Sequence, residues 1–71
     1  MNTNLLKSYM VRHGETQEHL AVLLGITRAT VNRKIQNKGA DFTQGEIMAI
    51  KEHYGLSADE VDSIFFAKKV S

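Results

Sequence analysis

The stretch from Thr16 to Ile35 constrains the fold of this chain more than any other feature, because it predicts two short helices joined by a tight turn. The first helix places three leucines on one face, since they recur at intervals of three and four residues: Leu20, Leu23 and Leu24. Gly25 follows them, at the position where a helix commonly ends in a left-handed conformation. Ile26 is then expected to fill the corner between the two helices.

The second helix of this stretch has two dissimilar faces. Thr27 is a suitable N-cap residue for it, as Thr16 is for the first helix. Val31 and Ile35 lie four residues apart on the inner side. The opposite arc holds Ala29, Asn32, Arg33 and Gln36, with Arg28 at its flank. An apolar edge opposite a basic, amide-bearing face, preceded by a glycine turn and a partner helix, is the layout of a helix-turn-helix, which places its second helix in the DNA major groove.

The outward side chains of the second helix are of types that recognise base edges. An arginine can bind guanine through two hydrogen bonds, an asparagine or glutamine can bind adenine, and an alanine methyl group can contact the thymine methyl group. The alternative is a helix face that only meets solvent, for which arginine, asparagine and glutamine are ordinary residues. The capped helix, the glycine turn and the partner helix favour base reading over this alternative.

Four motifs link the chain to a known family. They are Thr16-Gln17-x-x-Leu20-Ala21, Leu24-Gly25-Ile26-Thr27, the run from Val31 to Lys38, and Asp41-Phe42-Thr43 with Glu46-Ile47. In these motifs the chain resembles the Cro/C-repressor-type (XRE-like) helix-turn-helix regulators of phages and prophages, above all the small ones of Gram-positive type. The similarity covers about residues 5 to 66. It implies an all-α, five-helix lambda-repressor-like DNA-binding domain with a role in transcription regulation.

The resemblance also implies roles for individual residues. Those that would face base edges are Arg28, Ala29, Asn32 and Arg33. Those that would contact the DNA backbone are Thr27, Thr30, Asn37 and Lys38. Gln17 would contact a phosphate or brace the second helix. The chain departs from the family at Lys34, where many relatives carry an apolar residue, so that Ile35 is expected to supply the core contact. It departs again at Gly39, because many relatives have glycine directly after the asparagine.

The remaining sequence predicts three further helices. The whole chain, residues 1–71, is expected to form one helix-turn-helix domain with helices at about 4–13, 17–24, 28–37, 44–54 and 58–66. The apolar faces of the added helices are Leu6 and Met10, then Ile47, Ile50 and Tyr54, then Val61, Ile64 and Phe65. Thr43 with Glu46, and Ser57 with Glu60, are capping boxes that open the last two helices. No segment shows the strict alternation of a half-buried strand.

The composition argues against several classes of function. The chain has no cysteine and therefore no disulfide and no thiolate metal site. Its three histidines form no metal-binding pattern, and no glycine-rich phosphate loop occurs, so we expect no metal, no cofactor and no enzymatic activity. No apolar run approaches the roughly 20 residues that span a membrane, and no signal-peptide region is present. We therefore expect a cytoplasmic protein of a bacterial host cell, associated with the nucleoid and not with a membrane.

The distribution of charge is more informative than the net charge of +1 at pH 7. Residues 28–38 carry four cations and no acid, whereas residues 41–62 carry six acids against one lysine. A DNA-binding protein needs positive charge only where the phosphates lie, so this polarity favours a basic edge that faces DNA. The alternatives are a chance clustering of charges in a short chain and an acidic half that faces a basic partner protein.

The adjacent residues Phe65 and Phe66 predict a contact surface near the end of the last helix. Neighbouring helical residues point about 100° apart, so both rings are hard to bury in one monomer, and Phe66 is expected to be available to a partner. That partner would be a second copy of the chain, since helix-turn-helix proteins commonly bind two half-sites about one DNA turn apart, or it would be a repressor protein. The alternative is that both rings fold over the end of the core.

The sequence thus favours a transcription regulator that binds double-stranded operator DNA and reads the major groove with residues 27–37. A second hypothesis is an antirepressor or modulator that binds a partner phage repressor through its helical surface. A third hypothesis, an antitoxin-type helix-turn-helix, is weaker because nothing in the sequence supports a toxin-binding extension.

Overall fold

Five helices make up the regular structure of residues 1–37 and 39–66, the ranges that the computed structural model describes. They are α1 (Thr3–Arg12), α2 (Gln17–Leu24), α3 (Arg28–Ile35), α4 (Gln44–Tyr54) and α5 (Ala58–Phe65). No strand occurs in these ranges, so the predicted all-helical class with five helices is confirmed. None of the helices in these ranges has the length and apolar character needed to cross a membrane.

Side chains cap the N-terminus of each helix, which explains why the helices begin where they do. Each cap accepts a hydrogen bond from the backbone N–H three residues further on; the caps are Asn2, Thr16, Thr27, Thr43 and Ser57. The two predicted capping boxes are confirmed, because the carboxylates of Glu46 and Glu60 each accept the backbone N–H of their cap at 2.8 Å. A third box was not expected from the sequence: His19 Nδ1 accepts the N–H of Thr16 at 3.2 Å.

The helices α2, α3 and α4 end in two different ways. Gly25 and Gly55 close α2 and α4 in the left-handed conformation, with φ angles of 68° and 64°, and the prediction made for Gly25 is confirmed. By contrast, α3 ends at Ile35, earlier than predicted, and Asn37 is left-handed with a φ angle of 56°. Asparagine is one of the few residues that adopt this conformation readily. Asn37 therefore takes the role that a glycine has at the ends of α2 and α4.

The core receives at least one fully buried aliphatic side chain from each helix. These are Leu6 from α1, Leu20 from α2, Val31 and Ile35 from α3, Ile50 from α4 and Ile64 from α5. Ile26, at the corner between α2 and α3, is half-buried against this cluster, as predicted. Ile35 supplies the core contact expected of it beside Lys34. Helix α3 lies against α2, and α4 contacts both α2 and α5, so that one side of α3 remains directed outward.

Leu23 is the most exposed of the three leucines predicted to share one face of α2, with an exposed fraction of 37%. Leu20 and Ala21 are buried, and Leu24 is half-buried against the core. Successive helical residues are rotated by about 100°, so the buried face is centred between Leu20 and Ala21, close to Leu24. Leu23 lies on the far edge of this face from Ala21. The spacing of three residues from Leu20 therefore does not place Leu23 in the core, whereas the small residue Ala21 is buried.

Candidate nucleic-acid interface

The connection between α2 and α3 is three residues long and tightly hydrogen bonded. The N–H of Gly25 donates to the carbonyl oxygen of Val22 at 3.3 Å, and the N–H of Ile26 donates to that of Ala21 at 3.1 Å. Thr27 then begins α3, with its hydroxyl accepting the N–H of Thr30 at 3.1 Å. These bonds satisfy two free carbonyls of α2 and one free amide of α3, and they constrain the direction in which α3 leaves the turn.

The predicted base-reading residues lie together on the outward side of α3. They line one open depression with Gln17: Arg28, Ala29, Asn32 and Arg33. Arg28, Ala29 and Arg33 are exposed, whereas Val31 and Ile35 on the opposite side are buried. The two-faced helix that the sequence predicted is therefore present. The exposed face combines two guanidinium groups, one amide and one methyl group within reach of a single bound molecule.

Asn32 and Gln17 form a direct link between α3 and α2. The Asn32 amide donates from Nδ2 to Gln17 Oε1 at 3.0 Å, and both side chains are half-buried. This contact fits the bracing role that was one of the two expectations for Gln17. It uses one donor of Asn32 and one acceptor of Gln17, so each amide keeps hydrogen-bonding groups for another partner.

The residues predicted to contact the DNA backbone are placed at both ends of α3. At its start, the hydroxyls of Thr27 and Thr30 lie 2.8 Å apart and form a hydrogen bond, with Thr27 exposed and Thr30 half-buried. At its end, Asn37 is exposed. Lys38, the remaining member of this group, lies outside the described residues, and its predicted contact stays a prediction.

The cations of residues 28–38 do not all present their charge to solvent, because Lys34 is paired with an acid. Lys34 Nζ lies 2.6 Å from Glu46 Oε1, and the two side chains are only 11% and 12% exposed. Partial burial alone would raise the pKa of Glu46, but the hydrogen bonds from Lys34 and from the N–H of Thr43 outweigh it, so the pKa is lowered. Arg28 and Arg33 form no ion pair within residues 1–37 and 39–66. They therefore carry the exposed positive charge of α3.

A second polar cluster joins the connection between α1 and α2 to the end of α4. His53 Nε2 lies 2.8 Å and 2.9 Å from the two carboxylate oxygens of Glu15. The Tyr54 ring contacts the rings of both His13 and His53 at tilted angles, and burial and the nearby Glu15 carboxylate raise the pKa of its hydroxyl. This cluster lies directly before the cap of α2. Within the described part of the chain, no group of three or more acids or histidines is placed to hold a metal ion.

The two phenylalanines at the end of α5 have different environments. Phe65 is half-buried and packs edge-to-face on Phe42, with ring centroids 5.7 Å apart. Phe66 is 59% exposed. Both rings border a depression that also includes Phe42, Ile47 and the paired Lys34. Of the proposed contact residues, Phe66 therefore presents most of its ring to solvent, while Phe65 belongs mainly to the edge of the core.

Comparisons of this chain with protein-family models, with curated proteins and with solved structures found no match in any of the three.

Proposed function

We propose that this chain is a sequence-specific DNA-binding transcription regulator of the Cro/C-repressor type, acting in a phage or prophage switch. In this proposal the chain has a lambda-repressor-like fold, α2 and α3 form the helix-turn-helix, and α3 enters the major groove of double-stranded operator DNA. The observation that carries the proposal is the two-faced α3, in which Val31 and Ile35 are buried while Arg28, Ala29 and Arg33 are exposed on one surface.

The exposed side chains of α3 offer the donors and acceptors that base reading needs. Arg28 and Arg33 can each bind guanine through two hydrogen bonds, and the methyl group of Ala29 can contact a thymine methyl group. Asn32 can bind adenine, and its contact with Gln17 limits the rotamers it can adopt. A side chain held in this way loses less conformational freedom when it binds a base edge.

Phosphate contacts would position the helix on the duplex without reading sequence. The hydroxyls of Thr27 and Thr30 lie at the N-terminus of α3, where backbone amides and the helix dipole also favour an anion. Asn37 and Lys38 would contact the backbone at the other end. Because the net charge is only +1, we expect binding to random DNA to be weak at physiological salt and the specific contacts to be decisive.

The test is selection of preferred duplexes from a random pool, followed by gel-shift titration at low and near-physiological salt with random competitor DNA. We expect one sequence class to be enriched and its complex to survive the competitor at the higher salt. No enrichment, or a complex that disappears with salt or competitor, would leave only the non-specific electrostatic attraction and would overturn the proposal.

A second candidate function is supported by Phe66, whose ring is 59% exposed at the end of α5. In this role the chain binds a second copy of itself or a partner phage repressor, and an apolar ring is a suitable anchor for such an interface. Phe66→Ser should then abolish dimerisation or repressor capture, measured by sedimentation and pull-down, and spare DNA binding by the monomer. If all complexes and the oligomeric state are unchanged in this variant, Phe66 has no such role.

A further inference from the structure

Three of the four residues in the last turn of α3 are tied to three different helices. The ties are Asn32 to Gln17 of α2 at 3.0 Å, Lys34 to Glu46 of α4 at 2.6 Å, and the hydroxyl of Thr3 in α1 to the carbonyl oxygen of Ile35 at 2.8 Å. Arg33 lies between them, is exposed, and forms no hydrogen bond or ion pair through its side chain within the described ranges. The backbone of this turn is therefore held while the guanidinium of Arg33 remains free to bind.

The link between Lys34 and Glu46 has the most constrained geometry of the three. Glu46 Oε1 also accepts the N–H of Thr43 at 2.8 Å, so the capping box of α4 fixes the carboxylate. Lys34 Nζ reaches this oxygen across the ring of Phe42, whose centroid lies 6.0 Å away. Since both charged groups are largely shielded from water, their attraction is stronger than that of an exposed pair. The last turn of α3 is thereby joined to the first turn of α4.

A lysine on a basic helix of a DNA-binding protein would ordinarily contact a phosphate. The ion pair and the burial of Lys34 argue against this role. The ammonium of Lys34 is only 2.6 Å from a carboxylate, and its side chain is 11% exposed. Its charge is neutralised within the protein and is not presented on the surface that carries Arg28 and Arg33.

We propose that Lys34 and Glu46 are positioning residues, which set the angle of α3 and so determine base selectivity without touching DNA. This inference rests on the proposed function and names the residues that control its specificity. A shift of α3 against α4 would displace Arg33 from its base edge, whereas non-specific attraction to phosphates, which needs no precise alignment, would persist.

Three variants test the inference. Glu46→Gln removes the negative partner and keeps a side chain that can complete the capping box. Lys34→Met removes the positive partner and keeps an unbranched side chain against Phe42. Asp41→Asn is the matched control for Glu46→Gln, because it makes the same change of charge at an exposed acid bordering the same depression, and Asp41 forms no ion pair within the described residues.

The measured quantity is the ratio of the Kd for random DNA to the Kd for a duplex that the wild-type chain selects. This ratio is measured under conditions in which circular dichroism shows that each variant is folded. We expect this ratio to fall about fivefold or more for Glu46→Gln and Lys34→Met, the lower range of what one misread base pair costs, and to be unchanged for Asp41→Asn. Lys34→Met should keep the wild-type salt dependence on random DNA, because no phosphate contact is lost. A merely structural role would lower the melting temperature and leave the ratio unchanged.

Two results would overturn the inference while leaving the proposed function in place. One is a wild-type ratio in both folded variants. The other is a salt slope that falls by about one in Lys34→Met, which would make Lys34 a phosphate contact. Where a single variant unfolds, the double variant Lys34→Met with Glu46→Gln leaves no unpaired buried charge and gives the same two readouts. A wild-type chain that selects no DNA sequence overturns the proposed function and this inference together.

Discussion

Arg33 illustrates how the role of a residue follows from the contacts of its neighbours. The residues on either side of it are engaged with other helices, through Gln17 and Glu46. The sequence placed Arg33 on the outward face, because helical periodicity distinguishes it from Val31 and Ile35. The pattern could not indicate that Asn32 and Lys34 would be held, since their partners lie 15 and 12 residues away along the chain.

Truncation of Arg33 tests the base-reading role at this position. We expect Arg33→Ala to weaken binding to the preferred duplex by about 1–3 kcal/mol and to relax selectivity at one base position, because a two-bond contact to guanine is lost. Arg12→Ala is the control for loss of one positive charge, since the Arg12 guanidinium lies on α1, over the ring of Tyr9. Titrations on preferred and random duplexes measure the difference. Equal losses on both duplexes for Arg33→Ala would exclude base reading by this residue.

At the scale of the helices, most boundaries could be predicted because caps and glycines are local signals. Thr16, Thr27, Thr43 and Ser57 cap helices as expected, and Gly25 ends α2. The end of α3 was misplaced because an asparagine, not a glycine, adopts the left-handed conformation there. Links between elements distant in the sequence, such as that from Glu15 to His53, could not be predicted, since periodicity defines the face of a helix but not the element it meets.

The left-handed conformation of the turn before α3 can be tested by making the same substitution, glycine to alanine, at two positions. Gly25 has a φ angle of 68° and an added Cβ would meet no atom within 4 Å, so Gly25→Ala should destabilise the protein by about 1–2 kcal/mol through backbone strain alone. Gly45 lies in the first turn of α4 without a positive φ and with equal space, so Gly45→Ala should stabilise the protein by about 0.4–1 kcal/mol. Chemical denaturation measures both. If the two variants changed the free energy of unfolding by the same amount and in the same direction, the left-handed conformation of Gly25 would be contradicted.

The link from Glu15 to His53 predicts a pH dependence of stability. Burial acts to raise the pKa of Glu15, but the hydrogen bond with His53 and the charges of His53 and His19 outweigh it, so the pKa is lowered from 4.5. A lowered pKa contributes stability above the unfolded value, which is lost as the pH falls through the folded value. We therefore expect the difference in melting temperature between the wild type and Glu15→Gln to be present at pH 6 and to shrink as the pH falls below about 4.5.

A difference that grows on acidification would contradict the assigned pair. Subtraction of the Glu15→Gln curve is necessary because the pKa values of Glu46 and Glu60 are also lowered, by their contacts with Lys34 and Tyr9 among others. Both carboxylates therefore lose stabilising contacts in acid as well, and the wild-type curve alone would combine all three effects.

At the scale of the whole molecule, the fold brings the basic stretch into contact with the acidic half of the chain. The sequence indicated a basic edge from residue 28 to residue 38, and the fold divides it: Lys34 is paired with an acid from α4, while Arg28 and Arg33 remain exposed on the same surface as Asn32. One acid of the acidic half, Glu46, is thus paired with the basic helix. This division depends on tertiary packing and was not visible in the charge pattern.

The most direct test of the central claim is a map of backbone amide chemical shifts during titration with the selected duplex at near-physiological salt. We expect the largest changes on residues 27–33 and on Gln17, because these surround the proposed base-reading surface. Small changes are expected around Phe66 when the chain binds as a monomer. Changes centred on α5, or none on α3 at saturating DNA, would contradict insertion of α3 into the major groove.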